Sequence, residues 1–317
     1  MKEYGGYIEF ETYRGHEYHE QALRLNCGRS AFEYLLINKK ITKVYLPYFI
    51  CSSVFNTCSK VGVPFEFYHI SPDFHPLFEG SLKSDEYLYV VNYYGQLSAD
   101  YIEQLQGTYH NVIVDNSQAF FNMPLKGIDT LYTCRKFFGL SDGAYLYTDI
   151  MNPYESLPMD VSYDHMKFIM GRFEKTASEF YSESVDNNHR FADEGVKKMS
   201  SLTENLLRSF DYEFIKHQRS DNFSEYNRIL GNLNKLDLCI PYGAFMYPLY
   251  LENGYEIRKK LQQKKIYIPV LWPDVFNICS EDDVEYDYAR NILPLPVDQR
   301  YRIDDVLFIS SRIMNDL

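Results

Sequence analysis

Short runs of branched and aromatic residues alternate with segments of helical period through the first half of the chain, and that alternation limits the fold more than any other feature. VYLPYF (44–49), PFEFY (64–68), YLYVV (87–91) and NVIVD (111–115) have the composition of buried strands. Between them, SAFEYLLINKK (30–40) and ADYIEQLQG (99–107) place apolar residues at helical spacing. Strands that alternate with helices predict an α/β chain with a large, mainly parallel sheet covered by helices. Ligands of such sheets sit beyond the carboxyl ends of the strands, so the residues just after each run carry the chemical interest.

The pattern changes twice further on. From about Ser156 to Leu230 it is helical and heavily charged, and the acidic stretch from Glu183 to Glu194 reads as a solvated face. After Asn234 the extended runs IPYGAFMYPLYL (240–251), KKIYIPVLWP (264–273) and NILPLPV (291–297) predict a smaller C-terminal α+β domain. We expect a large domain over 1–215 and a small one over 216–317, which 317 residues are enough to build.

Composition narrows the function. A net charge of −12 excludes nonspecific binding to nucleic acid or to an anionic membrane. An anionic ligand must therefore be met by a few local cations and backbone N–H groups. No apolar run is long enough to span a bilayer. MKEYGGYIEFETYRG lacks the apolar region of a signal peptide, which predicts a cytoplasmic protein. Six cysteines without a CxxC pair, and eight histidines without ligand spacing, predict free thiols and no metal.

Four places are candidates for a site. Gly28-Arg29-Ser30 opens a helix, so it is either a phosphate cradle or an ordinary turn with an N-terminal serine. Asp115 ends the apolar run VIVD, with Gln118 three residues on; it caps the next helix or holds a protonated ring nitrogen of a cofactor. Asn92, Tyr93 and Tyr94 before Gly95-Gln96 form a pocket wall or mere packing. Lys136 lies in TLYTCRKFFGLSDGAYLYTD (130–149), between β-like Thr130–Cys134 and Ala144–Tyr147. It either snorkels to water or is desolvated into a nucleophile. Arg135 beside it is either a structural ion pair or a ligand for a carboxylate or phosphate.

These segments, in order, resemble the DegT/DnrJ group of nucleotide-sugar aminotransferases, which are fold-type-I enzymes dependent on pyridoxal 5'-phosphate (PLP). The resemblance runs through LNCGRSAFEYLL, VYLPYFICSSVF, VVNYYGQ, VIVDNSQAFF and the lysine segment. It continues through RSDNFSEYNRIL (219–230), YIPVLWP (267–273) and LPLPVDQRY (293–301), and so covers nearly the whole chain. It implies that Lys136 is the Schiff-base lysine and proton carrier, that Asp115 pairs with the pyridinium nitrogen, and that Gln118 lies near the ring hydroxyl. Gly28 and Arg29 would offer N–H groups to the cofactor phosphate, with the hydroxyls of Ser30 and Thr133. Cys51, Phe49 or Tyr93 would lie over the ring. Arg135, Arg219 and Asn222 would touch substrate, the latter two across a homodimer interface, with Trp272 and Arg300 near the nucleotide or the interface.

The implied substrates are a nucleotide-linked keto-sugar and an amino-acid donor, glutamate, in polysaccharide or metabolite biosynthesis. Two departures stand out: Tyr132-Thr133-Cys134-Arg135 replaces a longer serine-rich approach to the lysine, and Gly143-Ala144 replaces a Gly-Gly pair. The rival readings are a PLP-dependent sugar dehydratase, where relatives carry histidine in place of the lysine, a non-catalytic scaffold or regulator of the same fold, and a plain α/β nucleotide-binding domain.

Overall fold

The computed structural model describes residues 4–150 and 152–317. Eight strands make the main sheet: β1 (Leu23–Leu25), β2 (Lys43–Pro47), β3 (Phe65–Ile70), β4 (Pro76–Leu77), β5 (Glu86–Val91), β6 (Val112–Asp115), β7 (Asp129–Thr133) and β8 (Ala144–Tyr147). Their spatial order is β1-β8-β7-β6-β5-β2-β3-β4. The central pairs β3/β2, β2/β5, β5/β6 and β6/β7 are parallel. Helices α1 (Gly28–Asn38), α2 (Ser52–Val61) and α3 (Ala99–Tyr109) are the crossovers. Residues of β5 and β6 such as Leu88, Val90, Ile113 and Val114 are almost wholly buried, as strands covered on both faces must be.

Two antiparallel pairings at one edge matter most for function. β8 runs against β7, and β1 runs against β8. The two reversals leave β1 parallel to β7, with Leu25 opposite Ala144 and Ala144 opposite Thr133. Both β1 and β7 thus end at the same sheet edge, and the start of α1 comes to the segment that follows β7. Gly143 starts the return strand at φ +114°, where a Cβ would lie 3.0 Å from Thr203 and 3.2 Å from Cys134. Only glycine fits that turn.

Beyond β8 come α4 (Lys167–Glu174), α5 (Tyr181–Asp193), α6 (Ser201–Leu207) and the long α7 (Tyr212–Leu230). A two-stranded antiparallel sheet, β9 (Met246–Tyr250) with β10 (Ile292–Pro296), packs with α8 (Gly254–Gln263) and α11 (Ile303–Met314); short α9 (Val275–Ile278) and α10 (Val284–Asn291) lie between. Pro248 faces Pro294 in that ribbon, which is tolerated because each strand has a free outer edge. One core surrounds the main sheet; a second gathers Phe223, Tyr226, Tyr247, Leu249, Ile257, Leu293 and Val306. Ile215 belongs to the first core and Phe223 to the second, so α7 bridges them, and the expected division at 215/216 falls inside this helix.

The extended run 264–273 forms no strand. Pro269 lacks an N–H, and Lys265 and Trp272 take positive φ values of 60° and 56°, which break a ladder. None of the helices of the described residues is long and apolar enough to cross a membrane.

Candidate active site

The carboxyl ends of β5, β6 and β7 open into a cavity of about 390 Å³, walled on its other sides by the start of α1, by α5 and by the 270–272 segment. Asp115 ends β6 and is 7% exposed. No helix follows it, so it has nothing to cap. Its Oδ1 accepts from the Ser117 N–H at 2.8 Å, and its Oδ2 from the Tyr89 hydroxyl at 2.9 Å. Charge-assisted bonds of this kind hold a carboxylate in one orientation.

Gln118 is held by its carbonyl: Oε1 accepts from the Tyr94 N–H at 2.8 Å. That leaves its Nε2 buried with no partner. A buried donor of this kind costs about 1–3 kcal/mol if left unpaired, so it points to an acceptor brought by a ligand.

Lys136 stands three residues beyond β7. Phe137 and Phe138 turn inward and pack against Phe120, which leaves the lysine to face the cavity. Its Nζ donates to Ser117 Oγ at 2.9 Å and lies 5.5 Å from the Phe245 ring centre. The side chain is exposed to the cavity, with its amine held at Ser117. Desolvation is the main force that lowers its pKa; Asp115 and Cys51 oppose the shift and Arg135 adds to it. The side chain is open to the cavity, so its candidacy as a nucleophile rests on its place beside Ser117 and Asp115 rather than on burial.

The far end of the cavity is cationic. Arg29 donates through Nη1 to Asn188 O at 2.7 Å and through Nη2 to Asn188 Oδ1 at 3.4 Å, and Arg135 donates to the same Oδ1 at 3.1 Å. Arg135 also lies 4.8 Å above the Phe191 ring. Among the described residues no carboxylate comes within ion-pair distance of either guanidinium. Burial pushes Arg135 down to about 10, with repulsion from Arg29 and Arg190 in the same direction. Beside the first turn of α1 this doublet lacks a paired carboxylate among the described residues. Gly28 and Thr133 line this end.

Other expected residues lie elsewhere. Ser30 is buried, with its hydroxyl 3.4 Å from Cys27 Sγ. The Tyr93 hydroxyl donates to Phe49 O at 2.6 Å, and the ring packs on Phe49 and Trp272; Cys51 and Trp272 line the cavity in its place. Arg219, expected at the substrate, lines a neighbouring cavity of about 590 Å³ but is 1% exposed and donates to the carbonyls of Phe137 and Ala244, each at 2.9 Å. Asn222 donates to Val297 O and Tyr301 O, each at 3.0 Å. Backbone carbonyls therefore occupy both side chains, and Arg219 braces the segment just after Lys136.

Across the Arg135–Lys136 link lies a second cavity of about 590 Å³, walled by Phe168, Phe173 and Tyr181 and flanked by Arg172 and Arg300. Arg300 pairs with Asp298 through two contacts, 2.6 and 2.8 Å. Burial and then repulsion from Arg300 lower the Arg172 pKa.

Sequence reasoning missed Tyr89, Ser117, Asn188 and Arg172. Asn188 sits within the stretch read as a solvated face. In the structure only one side of α5 is solvated; Asn187 and Phe191 are buried against the sheet domain.

No family model matches the chain, and no curated protein does. The structure has clear relatives. NtdA from Bacillus subtilis, with bound cofactor PMP, superposes with a TM-score of 0.67 at 15% identity, over 96% of this chain and 78% of NtdA. A DegT DnrJ EryC1 StrS aminotransferase from Brucella abortus gives 0.62 at 15% identity, over 93% of this chain and 85% of its own. This is fold type I. E. coli GDP-4-keto-6-deoxy-D-mannose-3-dehydratase, with bound hydrated PLP, gives 0.63 at 13% identity over 92% and 87% of the two chains. A fold-type-I architecture is thus common to transferases and a dehydratase, and the residues of the site must separate them.

Proposed function

We propose that this chain is a PLP-dependent aminotransferase that converts a keto-sugar, linked to a nucleotide, into an amino-sugar. The observation that carries the reading is one cavity holding a lysine with a lowered pKa, a hydrogen-bonded carboxylate and two arginines that pair with no carboxylate among the described residues.

The donor set fits PLP at each end. Asp115 offers a carboxylate where the cofactor has a protonated ring nitrogen. The unpartnered Gln118 Nε2 offers a donor where it has a phenolic oxygen. The N–H groups of Gly28 and Arg29, the Thr133 hydroxyl and the guanidinium groups of Arg29 and Arg135 would hold its phosphate. When bound, PLP supplies an electron sink that delocalises charge from the substrate carbon.

The chain's own residues would do the rest. Lys136, its pKa lowered from the ordinary lysine value, would attack a carbonyl carbon as the free amine and later carry a proton at Nζ. Ser117 Oγ accepts from that amine and aims it. The second cavity would take the nucleotide part of the substrate: Arg172 and Arg300 for the diphosphate, Phe173 and Tyr181 for the base. Its volume is in the range of ligand pockets. The amino donor, by resemblance, is glutamate. The working unit is a cytoplasmic homodimer of two-domain chains.

The test is a visible absorption spectrum of the protein with PLP, followed by borohydride and mass spectrometry. The expected result is a band that borohydride removes, with the cofactor fixed to Lys136, and no fixation in Lys136→Ala. Glutamate should bleach the band and a nucleotide-linked keto-sugar should restore it. PLP-saturated wild type without a Lys136 adduct would end the proposal. A deoxygenated sugar without a new amine would hand the site to the dehydratase reading.

A further inference from the structure

We propose that Tyr89 is a positioning residue that sets where the proton lies between Asp115 and the cofactor's ring nitrogen. The inference rests on the PLP reading above.

Tyr89 stands opposite Ile113 across the β5/β6 pair. Asp115, two residues further along β6, is therefore on the same face and is its diagonal neighbour, within reach of a long side chain. The contact is built and buried. Tyr89 is 1% exposed, its ring packs edge-on against Phe32 with centres 4.8 Å apart, and its backbone oxygen accepts from the Tyr68 hydroxyl at 2.7 Å. Phe32 packs on the ring and Tyr68 holds the backbone, and the hydroxyl meets Asp115 Oδ2 at 2.9 Å. Burial and then the charge of Asp115 push the Tyr89 pKa well above its ordinary value. The phenol therefore keeps its proton and remains a donor throughout the working range.

Among the described residues no ammonium or guanidinium pairs with Asp115. Its charge is met by the Tyr89 hydroxyl, the Ser117 N–H and whatever cation the ligand brings. Hydrogen bonds to the charged form make a carboxylate a weaker base. With both donors in place, a proton shared with a ring nitrogen stays on nitrogen. Without the phenol it moves toward the carboxyl oxygen. A phenylalanine would fill the same space with no such effect, so packing alone does not explain the hydroxyl.

The experiment loads wild type, Tyr89→Phe and protein carrying 3-fluorotyrosine at position 89 with PLP labelled with nitrogen-15 in the ring. The ring-nitrogen chemical shift is the readout, with the pH titration of the visible band beside it. Wild type should show a pyridinium. Tyr89→Phe should move toward neutral pyridine and raise the apparent pKa of the band by about one unit, the scale of one lost hydrogen bond to a charge. The fluorinated phenol is a stronger donor of nearly the same shape and should move the shift the opposite way. Should Tyr89→Phe fail to fold, the fluorinated protein decides alone. Identical shifts across the folded proteins would overturn the inference and leave Tyr89 a core residue. Absence of the Lys136 adduct in wild type would instead remove the PLP reading beneath it, which is a separate and visible failure.

Discussion

The two ends of the principal cavity are built in opposite ways. At one end Asp115, Ser117, Gln118 and Lys136 come from two adjacent strands and the turns after them, and short hydrogen bonds from Tyr89 and from the Ser117 and Tyr94 N–H groups orient Asp115 and Gln118. At the other end Arg29 and Arg135 converge from separate segments and share one neutral partner, Asn188 on α5. The first end is arranged before any ligand arrives. The second gathers two cations that pair with no carboxylate among the described residues, and depends on how α5 docks. Rigid donors suit the end where bonds change; concentrated charge suits the end that only grips.

Lys136→Ala gives the largest effect expected from this division. Proton transfer by a positioned side chain contributes roughly 10²–10⁴ in rate, so turnover should fall at least that far. Single-turnover kinetics would show it, with circular dichroism unchanged because the side chain faces the cavity.

Arg135→Gln tests the gripping end. Loss of a charged hydrogen bond should weaken PLP binding by roughly 10- to 100-fold, and pyridoxal, which lacks the phosphate, far less. Equal losses for the two aldehydes, measured by spectral titration, would mean that this end is not an anion grip.

The ends also pull on Lys136 in opposite directions, which gives a test with two signs. Arg135 lowers the amine's pKa and Asp115 raises it. Only the neutral amine captures an aldehyde, so the capture rate rises with pH through the Lys136 pKa. Arg135→Gln should shift that curve to higher pH and Asp115→Asn to lower pH, by stopped-flow absorbance. Shifts of the same sign would break the comparison.

The smallest effect is expected from Asn188→Ala, which frees the arginines without removing charge. PLP affinity should change only a few-fold and thermal stability by about 1 kcal/mol, the usual worth of neutral hydrogen bonds. A hundredfold loss would show that α5 docking, rather than the arginine charge, holds the ligand.

Legibility in the sequence follows the same division. Asp115, Gln118 and Lys136 were readable because each closes or follows a run of strand composition, and a parallel sheet brings such endings to one edge. Gly28, Arg29, Arg135 and Thr133 were readable as candidates and do meet in the cavity. Ser30 and Tyr93 were not separable from them, since a side chain one residue away points elsewhere. Arg219 and Asn222 are implied only by the resemblance of the RSDN segment, and within one chain their donors close backbone carbonyls of the lysine segment and the small domain. Asn188 and Tyr89 carried no local signal: one lies in an acidic run, the other in an apolar strand.

Local pattern by itself determined the α/β class and the strand endings, because hydrophobic period and turn chemistry act over a few residues; the role of Lys136 came from the resemblance. Only the tertiary structure decided which cations pair with no carboxylate among the described residues, which donor is left unpaired and which hydroxyl reaches Asp115. Those are properties of pairs, and Arg29 and Asn188 stand 159 residues apart in the chain. Burial acts on whatever the fold brings together, and no run of neighbours in sequence records that.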